Sequence, residues 1–209
     1  TVAMGAVFVG SQDGTVYALD KETGCVRWTF RASAEVRTPV IIEGWDADAP
    51  PERPVAYFAD FIARVYAVDA RTGELIWVRK ADDHANATVT GAPVLYEGRL
   101  YVPVSSLEVT SAADPKYACG TFRGAVLALD AASGRTIWKT YTIDEPAREV
   151  GKTRIGTPIL APSGAPVWNS PSIDEKRGVL YVGTGENYSS PANDRSDALM
   201  AFDLATGKR

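Results

Sequence analysis

The stretch Gly14-Thr15-Val16-Tyr17-Ala18-Leu19-Asp20, followed by Thr23-Gly24 and then by Trp28, decides the fold of this chain. Its first part alternates and is rich in β-branched and aromatic residues, which is typical of a β-strand. The Asp-x-x-Thr-Gly segment is typical of a hairpin turn, because aspartate hydrogen-bonds the backbone ahead of it and glycine adopts positive φ. The tryptophan then falls on the next strand, where it can pack between two neighbouring sheets.

The same unit recurs three more times along the chain, each time with a strand-like run in front of it. The interval between successive units widens, so a fixed structural unit carries loops of variable length. The last copy reaches its Thr-Gly pair without a tryptophan after it. The aspartates of the four copies are Asp20, Asp69, Asp130 and Asp203, and the tryptophans are Trp28, Trp77 and Trp138.

A further strand precedes each unit after the first, at residues 37–40, 91–94 and 170–173. Four antiparallel strands in sequence make a propeller blade. We therefore predict an all-β fold, a β-propeller of four-stranded antiparallel blades with no clearly capped helix. The blade remnants are expected at about residues 1–30, 31–80, 84–143 and 165–209. Because the first copy lacks a leading strand and the last lacks its final strand, we expect a piece of about three and a half blades of a longer propeller.

Composition excludes several classes of function. The chain has 209 residues and a net charge of −4, which excludes a general nucleic-acid binder because such proteins show a basic excess. Its apolar runs are only a few residues long, which excludes a transmembrane helix. A single histidine, His84, excludes a multi-histidine zinc site, and we interpret it as a loop residue. Two cysteines make no disulfide framework, and Cys25 is interpreted as a small apolar filler of its hairpin.

Acidic and amide side chains follow the second strands of two neighbouring units, at the end opposite the Asp-x-x-Thr-Gly hairpins. Glu108 follows one such strand, Glu186 and Asn187 follow the next, and Asp194 and Asp197 precede the strand after that. Converging oxygen atoms suit Ca²⁺, which takes six to eight oxygen ligands. The alternative is that these loops are polar only because they face solvent.

The repeat Gly-x-Val-Tyr-Ala-Leu-Asp-x-x-Thr-Gly-x-x-x-Trp resembles the tryptophan-docking repeat of quinoprotein propellers, and the resemblance covers nearly the whole chain. Residues 102–108, 117–124, 138–143 and 183–189 resemble the polyvinyl alcohol dehydrogenase branch of the quinoprotein alcohol dehydrogenases. This resemblance implies a propeller of about eight blades that binds pyrroloquinoline quinone (PQQ) with Ca²⁺. It also implies oxidation of a secondary alcohol, which can be part of a polymer. Electrons would pass to cytochrome c, separate or in a fused haem domain. The protein would be periplasmic, without membrane insertion.

The resemblance also implies roles for individual residues. Glu108 matches the calcium-ligating glutamate of the family, and Asn187, with Glu186 adjacent, falls near its calcium-ligating asparagine. Asp197 is the better match for the catalytic base and Asp194 is the second candidate. A turn residue is the alternative for Asn187, and a solvated loop carboxylate is the alternative for Asp197.

Four further residues match positions that contact the quinone. Trp168 matches the tryptophan that forms the floor under the cofactor, since indole offers a large flat apolar surface. Arg37 matches an arginine that reaches the cofactor, and Thr90 and Ser105 match positions that hydrogen-bond to it. The alternatives are a core tryptophan between blades for Trp168 and a surface charge for Arg37. Arg123 either lines the channel or supports a loop.

Two departures from the family favour a rival hypothesis. The vicinal Cys-Cys ring of this class of alcohol dehydrogenase is absent, since Arg31 and Ala32 occupy that position. The polyvinyl alcohol branch often has Cys-Cys before Thr-Phe-Arg-Gly, and here Cys119-Gly120 keeps one thiol. The rival is a non-catalytic propeller with the same repeat, which acts as a scaffold or ligand-binding module.

Overall fold

The computed structural model of the chain describes residues 1–44 and 51–209. Within that part, eighteen strands and one four-residue helix are present, and the pairing between neighbouring strands is antiparallel throughout. In chain order the elements are β1 Val2–Ala3, β2 Ala6–Gly10, β3 Thr15–Asp20, β4 Val26–Arg31, β5 Ile41–Ile42, β6 Val55–Ala59, β7 Arg64–Asp69, β8 Leu75–Lys80, β9 Ala87–Thr88, β10 Val94–Tyr96, β11 Arg99–Ser106, α1 Glu108–Ser111, β12 Ala125–Asp130, β13 Thr136–Tyr141, β14 Arg148–Lys152, β15 Pro158–Ala161, β16 Ser172–Asp174, β17 Val179–Gly183 and β18 Leu199–Asp203.

The strands form consecutive antiparallel sheets in which spatial order follows chain order. Strands β1 to β4 make the first blade, β5 to β8 the second, and β10 to β13 the third, with the short β9 paired to the end of β11. Strands β16 to β18 make a three-stranded fourth sheet, and β14 pairs only with β15 in a hairpin that belongs to no blade. The predicted all-β propeller architecture is thereby confirmed.

The leading strands differ from the prediction in position. In the structure they are β5, β10 and β16, so each begins later than predicted and lies after a proline, Pro39, Pro93 or Pro171. The predicted segments included these prolines, which have no N–H to donate to a sheet, so pairing starts only beyond them. The prediction that the first copy lacks a leading strand is wrong, because β1 pairs with β2 through Val2 and Ala3. The helix α1 was also not predicted.

The repeated hairpin turn is held by the aspartate hydrogen bonds that its sequence predicted. The Asp20 carboxylate accepts hydrogen bonds from the backbone N–H of Glu22 and from the N–H and hydroxyl of Thr23, at 2.9–3.1 Å. The Asp203 carboxylate accepts the same pair of bonds from Thr206 at 2.7 Å. A hydrogen bond from Arg27 is the largest cause that lowers the pKa of Asp20, and the turn bonds lower it further. These aspartates are therefore structural.

Each tryptophan of the repeat docks its blade onto the following one. The indole N–H of Trp28 donates to the carbonyl oxygen of Ala70 at 3.0 Å, that of Trp77 to Ala131 at 2.9 Å, and that of Trp138 to Leu204 at 3.1 Å. All three side chains are buried. Each acceptor directly follows the aspartate of the next hairpin, so one repeat fixes the spacing of its neighbour.

The glycine of each later hairpin makes room for the docked indole. A Cβ on Gly134 would lie 2.6 Å from a ring carbon of Trp77, and Gly134 has a φ of +67°. Gly24, the equivalent residue of the first hairpin, has a φ of +72°, and a Cβ added there would meet nothing within 4 Å. The two glycines thus share a backbone conformation and differ only in the tryptophan contact.

We expect Gly134→Ala to destabilise the protein by about 2–4 kcal/mol, because the added methyl group overpacks against Trp77 and an alanine also pays for the positive φ. Gly24→Ala is the matched control and should cost only about 1–2 kcal/mol, since it carries the backbone cost alone. Thermal unfolding of both variants measures the difference. Equal losses in the two variants would show that the indole contact contributes nothing.

Candidate functional site

One segment, residues 163–169, hydrogen-bonds to the ends of the second strands of the third and fourth sheets. The N–H of Val167 donates to the carbonyl oxygen of Val104 at the end of β11, at 3.1 Å. On the other side, Gly185, which lies just beyond the end of β17, donates its N–H to the carbonyl oxygen of Pro166 at 2.8 Å. The segment therefore brings together residues that follow β11 and β17, at the edge opposite the Asp-x-x-Thr-Gly hairpins.

Trp168 presents a partly open indole at this junction. Its side chain is 36% exposed, unlike the three docking tryptophans. A Cβ on Gly185 would lie 2.9 Å from its indole nitrogen, and a Cβ on Gly91 would lie 2.9 Å from its carbonyl oxygen. Two glycines from loops of the third and fourth sheets therefore lie against this tryptophan, Gly185 at the indole and Gly91 at the backbone carbonyl. Trp168 is not a fully buried core residue, and part of its ring can receive a flat ligand.

Thr90 and Ser105 lie next to each other beside this junction. Their hydroxyl oxygens are 3.3 Å apart, and Ser105 also pairs with the Thr88 hydroxyl at 2.8 Å. Thr90 is half-buried and precedes Gly91, which contacts the backbone of Trp168, whereas Ser105 is fully buried. Thr90 therefore lies one residue from the glycine that approaches the Trp168 backbone, and Ser105 contacts its hydroxyl.

The two candidate bases occupy different positions. Asp197 is exposed, has a φ of +51°, and donates its backbone N–H to the carbonyl oxygen of Gly185 at 3.0 Å. Its backbone is therefore one hydrogen bond from the glycine that abuts Trp168. The Asp194 side chain is 84% exposed and lies 3.5 Å from the guanidinium of Arg195. The structure thus brings Asp197, rather than Asp194, to the junction.

Glu108, expected to ligate calcium, is enclosed by the loop that follows α1. Its side chain is 0% exposed. One carboxylate oxygen accepts hydrogen bonds from the Tyr117 hydroxyl, the Gly120 N–H, and the N–H and hydroxyl of Thr121, at 2.8–3.2 Å. The other accepts from the Phe122 N–H at 2.9 Å. In this arrangement the carboxylate organises a loop, and five protein donors occupy it.

His84 extends this network, which the sequence interpretation as a plain loop residue missed. Its Nε2 lies 2.7 Å from the Thr121 hydroxyl, and its Nδ1 accepts the Asn86 N–H at 3.1 Å. Because Nδ1 accepts, the proton sits on Nε2, and a chain of hydrogen bonds runs from His84 through Thr121 to Glu108. Nothing in the local sequence around His84 indicated this chain, since Thr121 is thirty-seven positions away.

The other two predicted calcium ligands lie at the open side of the junction. Glu186 is exposed, and its backbone carbonyl accepts the Ala165 N–H at 2.9 Å. The Asn187 side chain is engaged with Asn193 and with the carbonyl oxygen of Ser189. Within the described residues, no group of three or more His, Cys, Asp and Glu side chains could hold a metal ion. These residues do not form the predicted calcium site without further ligands.

The two arginines remain within their own blades. Arg37 is exposed, donates to the Glu35 carboxylate at 2.8 Å, and lies 4.3 Å from the centre of the Phe61 ring. The hydrogen bond from Arg37 to Glu35 raises the pKa of the guanidinium. Arg123 lies 4.1 Å from the Tyr141 ring centre and donates to carbonyl oxygens of residues 143 and 144. Arg123 therefore supports a loop.

The two thiols lie in different surroundings. Cys25 is exposed at the first hairpin, so its interpretation as an apolar filler is wrong. The residues at the same position of the next two hairpins, Glu74 and Arg135, are also exposed, so this position faces solvent in the repeat. Cys119 is half-buried, and burial together with the nearby Glu108 carboxylate raises the pKa of its thiol.

Comparison with known proteins agrees with the repeat. A PQQ_2 family model, described as "Outer membrane protein assembly factor BamB", matches residues 1–209. The chain belongs to this family. Among the described residues, none of the helices is long and apolar enough to cross a membrane.

Proteins similar in sequence to this chain include several whose names describe them as dehydrogenases. The chain is 39% identical over 208 residues to a polyvinylalcohol dehydrogenase of Pseudomonas sp, covering 100% of the chain and 32% of that protein. It is 38% identical over 207 residues to the polyvinylalcohol dehydrogenase of Sphingopyxis sp. (strain 113P3), covering 99% of the chain and 32% of that protein. The chain thus spans about a third of the length of these relatives.

Solved structures show the same fold. The quinohemoprotein alcohol dehydrogenase from Comamonas testosteroni superposes with a TM-score of 0.70 at 21% identity, covering 100% of this chain and 33% of that one. A europium-containing methanol dehydrogenase superposes with a TM-score of 0.69 at 19% identity, covering 99% and 39%. At these identities the likeness establishes the propeller architecture.

Proposed function

We propose that the full-length protein is a PQQ-dependent alcohol dehydrogenase that oxidises a secondary alcohol, including one that is part of a polymer. This reaction is supported by the 38–39% sequence identity to two polyvinylalcohol dehydrogenases, which extends over nearly the whole chain. The observation that carries the proposal is the partly exposed Trp168 indole, which has Gly185 against its edge and has its backbone carbonyl next to Gly91. A flat apolar surface that is open to solvent suits a flat aromatic cofactor.

The residues at the junction divide the work of binding and proton transfer. Trp168 would hold the quinone through its indole ring, and Thr90, whose hydroxyl lies 3.3 Å from that of Ser105, would offer it a hydrogen bond. Bound PQQ would supply a two-electron acceptor for the hydride of the carbinol carbon. Asp197, with its backbone fixed to Gly185, accepts the hydroxyl proton as general base.

This chain would supply fewer calcium ligands than the family resemblance implied. Glu108 is occupied by five donors, so Glu186 and Asn187 are the proposed contributors from this chain. Since Ca²⁺ takes six to eight oxygens, most ligands would come from the remainder of the protein or from the quinone itself.

Electron transfer to cytochrome c and a periplasmic location complete the proposal. Two observations support the first of these. Relatives of this chain include proteins named quinohemoprotein alcohol dehydrogenase, from Pseudomonas putida and Comamonas testosteroni. Another is named lupanine 17-hydroxylase [cytochrome c], from Pseudomonas sp, and is 27% identical.

The second candidate function is a non-catalytic scaffold or ligand-binding propeller. The enclosed Glu108 carboxylate and the lack of a clustered metal site among the described residues favour it. The description of the matching family model also names an outer membrane protein assembly factor, which is not a dehydrogenase. This candidate requires no quinone, so quinone binding separates the two.

We expect the full-length protein, stripped of cofactor, to bind PQQ and then reduce a dye in the presence of a secondary alcohol. Quinone absorbance and Trp fluorescence quenching measure binding, with and without Ca²⁺. Trp168→Ala should raise the Kd for PQQ at least about fivefold, since ring stacking contributes about 1 kcal/mol beyond buried area. Trp168→Phe is the control and should retain most of the affinity. No binding at micromolar PQQ would refute the dehydrogenase and favour the scaffold.

A further inference from the structure

A pocket of about 370 Å³ lies beside the candidate site, and the proposed reaction does not use it. Three segments line it: the loop at residues 112–119, the β14–β15 hairpin at 153–159, and residues 188–190. Its volume falls within the range of about 300–1,000 Å³ that is typical of small-molecule sites. The pocket is therefore large enough to hold a ligand segment rather than a few water molecules.

The pocket shares one wall with the candidate site. Residues 188–190 directly follow Glu186 and Asn187, and the Tyr188 N–H donates to the carbonyl oxygen of Ser163 at 3.1 Å. The hydroxyls of Ser163 and Ser189 are 2.7 Å apart. This wall is thus fixed to the same segment, residues 163–169, that carries Trp168.

The outer wall is held in place by a contact between the hairpin and the loop. The Thr157 hydroxyl donates to the carbonyl oxygen of Pro115 at 2.7 Å. The hairpin strands pair with each other alone, so this contact helps to set the width of the pocket. The hairpin wall is therefore tied to the loop wall as well as to its own strands.

The lining combines apolar surface with hydroxyl groups. Pro115, Pro158 and Ile159 supply apolar surface, and Thr153 and Ser190 supply hydroxyls. Asp114 is the one charged residue among the lining residues described, and no lysine, arginine or histidine is among them. A neutral ligand therefore fits this pocket better than an anion.

The two hydroxyls can bind a ligand. Thr153 accepts a hydrogen bond from the Thr157 N–H at 3.1 Å, which leaves its own hydroxyl hydrogen to donate. Ser190 is exposed and lines the pocket, so its hydroxyl is open to a ligand. Hydroxyl groups among apolar walls complement a chain in which CH₂ and CHOH groups alternate, because each part of the ligand meets a matching surface.

We propose that this pocket is a subsite for a neutral polyhydroxylated aliphatic chain, binding units next to the carbinol that is oxidised over Trp168. The inference rests on the proposed function and names its substrate class. It requires the polymer to bind at this pocket whether or not quinone is present.

The two cysteines provide a test that does not depend on turnover. Cys119 lines the pocket, and Cys25 is exposed at the first hairpin. The full-length protein is alkylated at alkaline pH, because burial raises the pKa of Cys119, and each thiol is followed by peptide mass spectrometry. Polyvinyl alcohol should slow alkylation of Cys119 at least fivefold and leave Cys25 unchanged. Equal rates for Cys119 with and without saturating polymer would overturn the subsite.

A matched pair of variants provides the second test. Ile159→Glu places a charge in the pocket and should raise KM for polyvinyl alcohol at least tenfold, with kcat/KM for 2-propanol unchanged. Ile155→Glu changes a more exposed residue of the same hairpin that does not line the pocket, and should alter neither substrate. An unchanged polymer KM in Ile159→Glu would refute the subsite.

The two proposals fail in different ways. Oxidation of 2-propanol without polymer protection of Cys119 would overturn the subsite and leave the dehydrogenase standing. Polymer protection of Cys119 in a protein that binds no PQQ would support the subsite and overturn the dehydrogenase.

Discussion

Replacing Asp197 by asparagine in the full-length, quinone-loaded protein is expected to lower kcat for a secondary alcohol by about 10²–10⁴-fold, the usual contribution of a general base. Asparagine keeps the size of the side chain and cannot accept the hydroxyl proton. It also tolerates the left-handed backbone that Asp197 adopts, with a φ of +51°, so the bond from its N–H to Gly185 should persist. The variant thus removes the base and preserves the junction.

Binding of PQQ provides the control for this variant. Its Kd should stay within about twofold of the parent, since Trp168 supplies the stacking surface. Asp194→Asn is the matched second variant and should retain kcat, because the Asp194 side chain points to solvent and to Arg195. Loss of turnover in Asp194→Asn with normal turnover in Asp197→Asn would reverse the assignment of the base.

Replacing Glu108 by glutamine is expected to destabilise the protein by about 3 kcal/mol, at the upper end of the cost of one unsatisfied buried donor. One carboxylate oxygen accepts four donors and the other accepts one, so an amide NH₂ in either position faces an N–H. A buried donor left without an acceptor costs about 1–3 kcal/mol, and bonds to a charged acceptor are the stronger ones. Thermal unfolding and proteolysis of the loop at residues 117–122 measure the loss.

Glu22→Gln is the matched control, since that side chain is 80% exposed and should be neutral within about 0.5 kcal/mol. This experiment also tests the calcium-ligand assignment that the family resemblance implied for Glu108. A Glu108→Gln protein with unchanged stability and weakened Ca²⁺ binding would restore Glu108 as a metal ligand. A less stable protein that retains Ca²⁺ affinity would assign the carboxylate to the loop.

The architecture follows from a local signal that the chain repeats. The alternation of the strands, the Asp-x-x-Thr-Gly turns and the docking tryptophans each act within about fifteen residues or between adjacent repeats, so a single sequence predicts them. The leading strands are less well predicted because their signal is weak. Each is two or three residues long and follows a proline, and its place depends on the strand it pairs with.

The candidate site depends on contacts that no local pattern encodes. The sequence indicates that Glu108 closes a strand segment. A glutamate at that position could ligate calcium or could play a structural role, and the sequence does not distinguish the two. Only the folded loop shows that residues 117–122 return over the carboxylate and occupy it. His84 joins the same network from a distant turn, and its partner Thr121 is thirty-seven positions away.

Trp168 shows the same division between residue type and environment. Its sequence position outside the hairpin repeat distinguished it from Trp28, Trp77 and Trp138, and its flat indole suggested a cofactor floor. Its exposure and its approach to Gly185 and Gly91 depend on the segment at 163–169, which two sheets position together. The repeat period therefore determines the blades from neighbouring residues alone, whereas the loops that close around Glu108 and Trp168 are set by hydrogen bonds between distant parts of the chain.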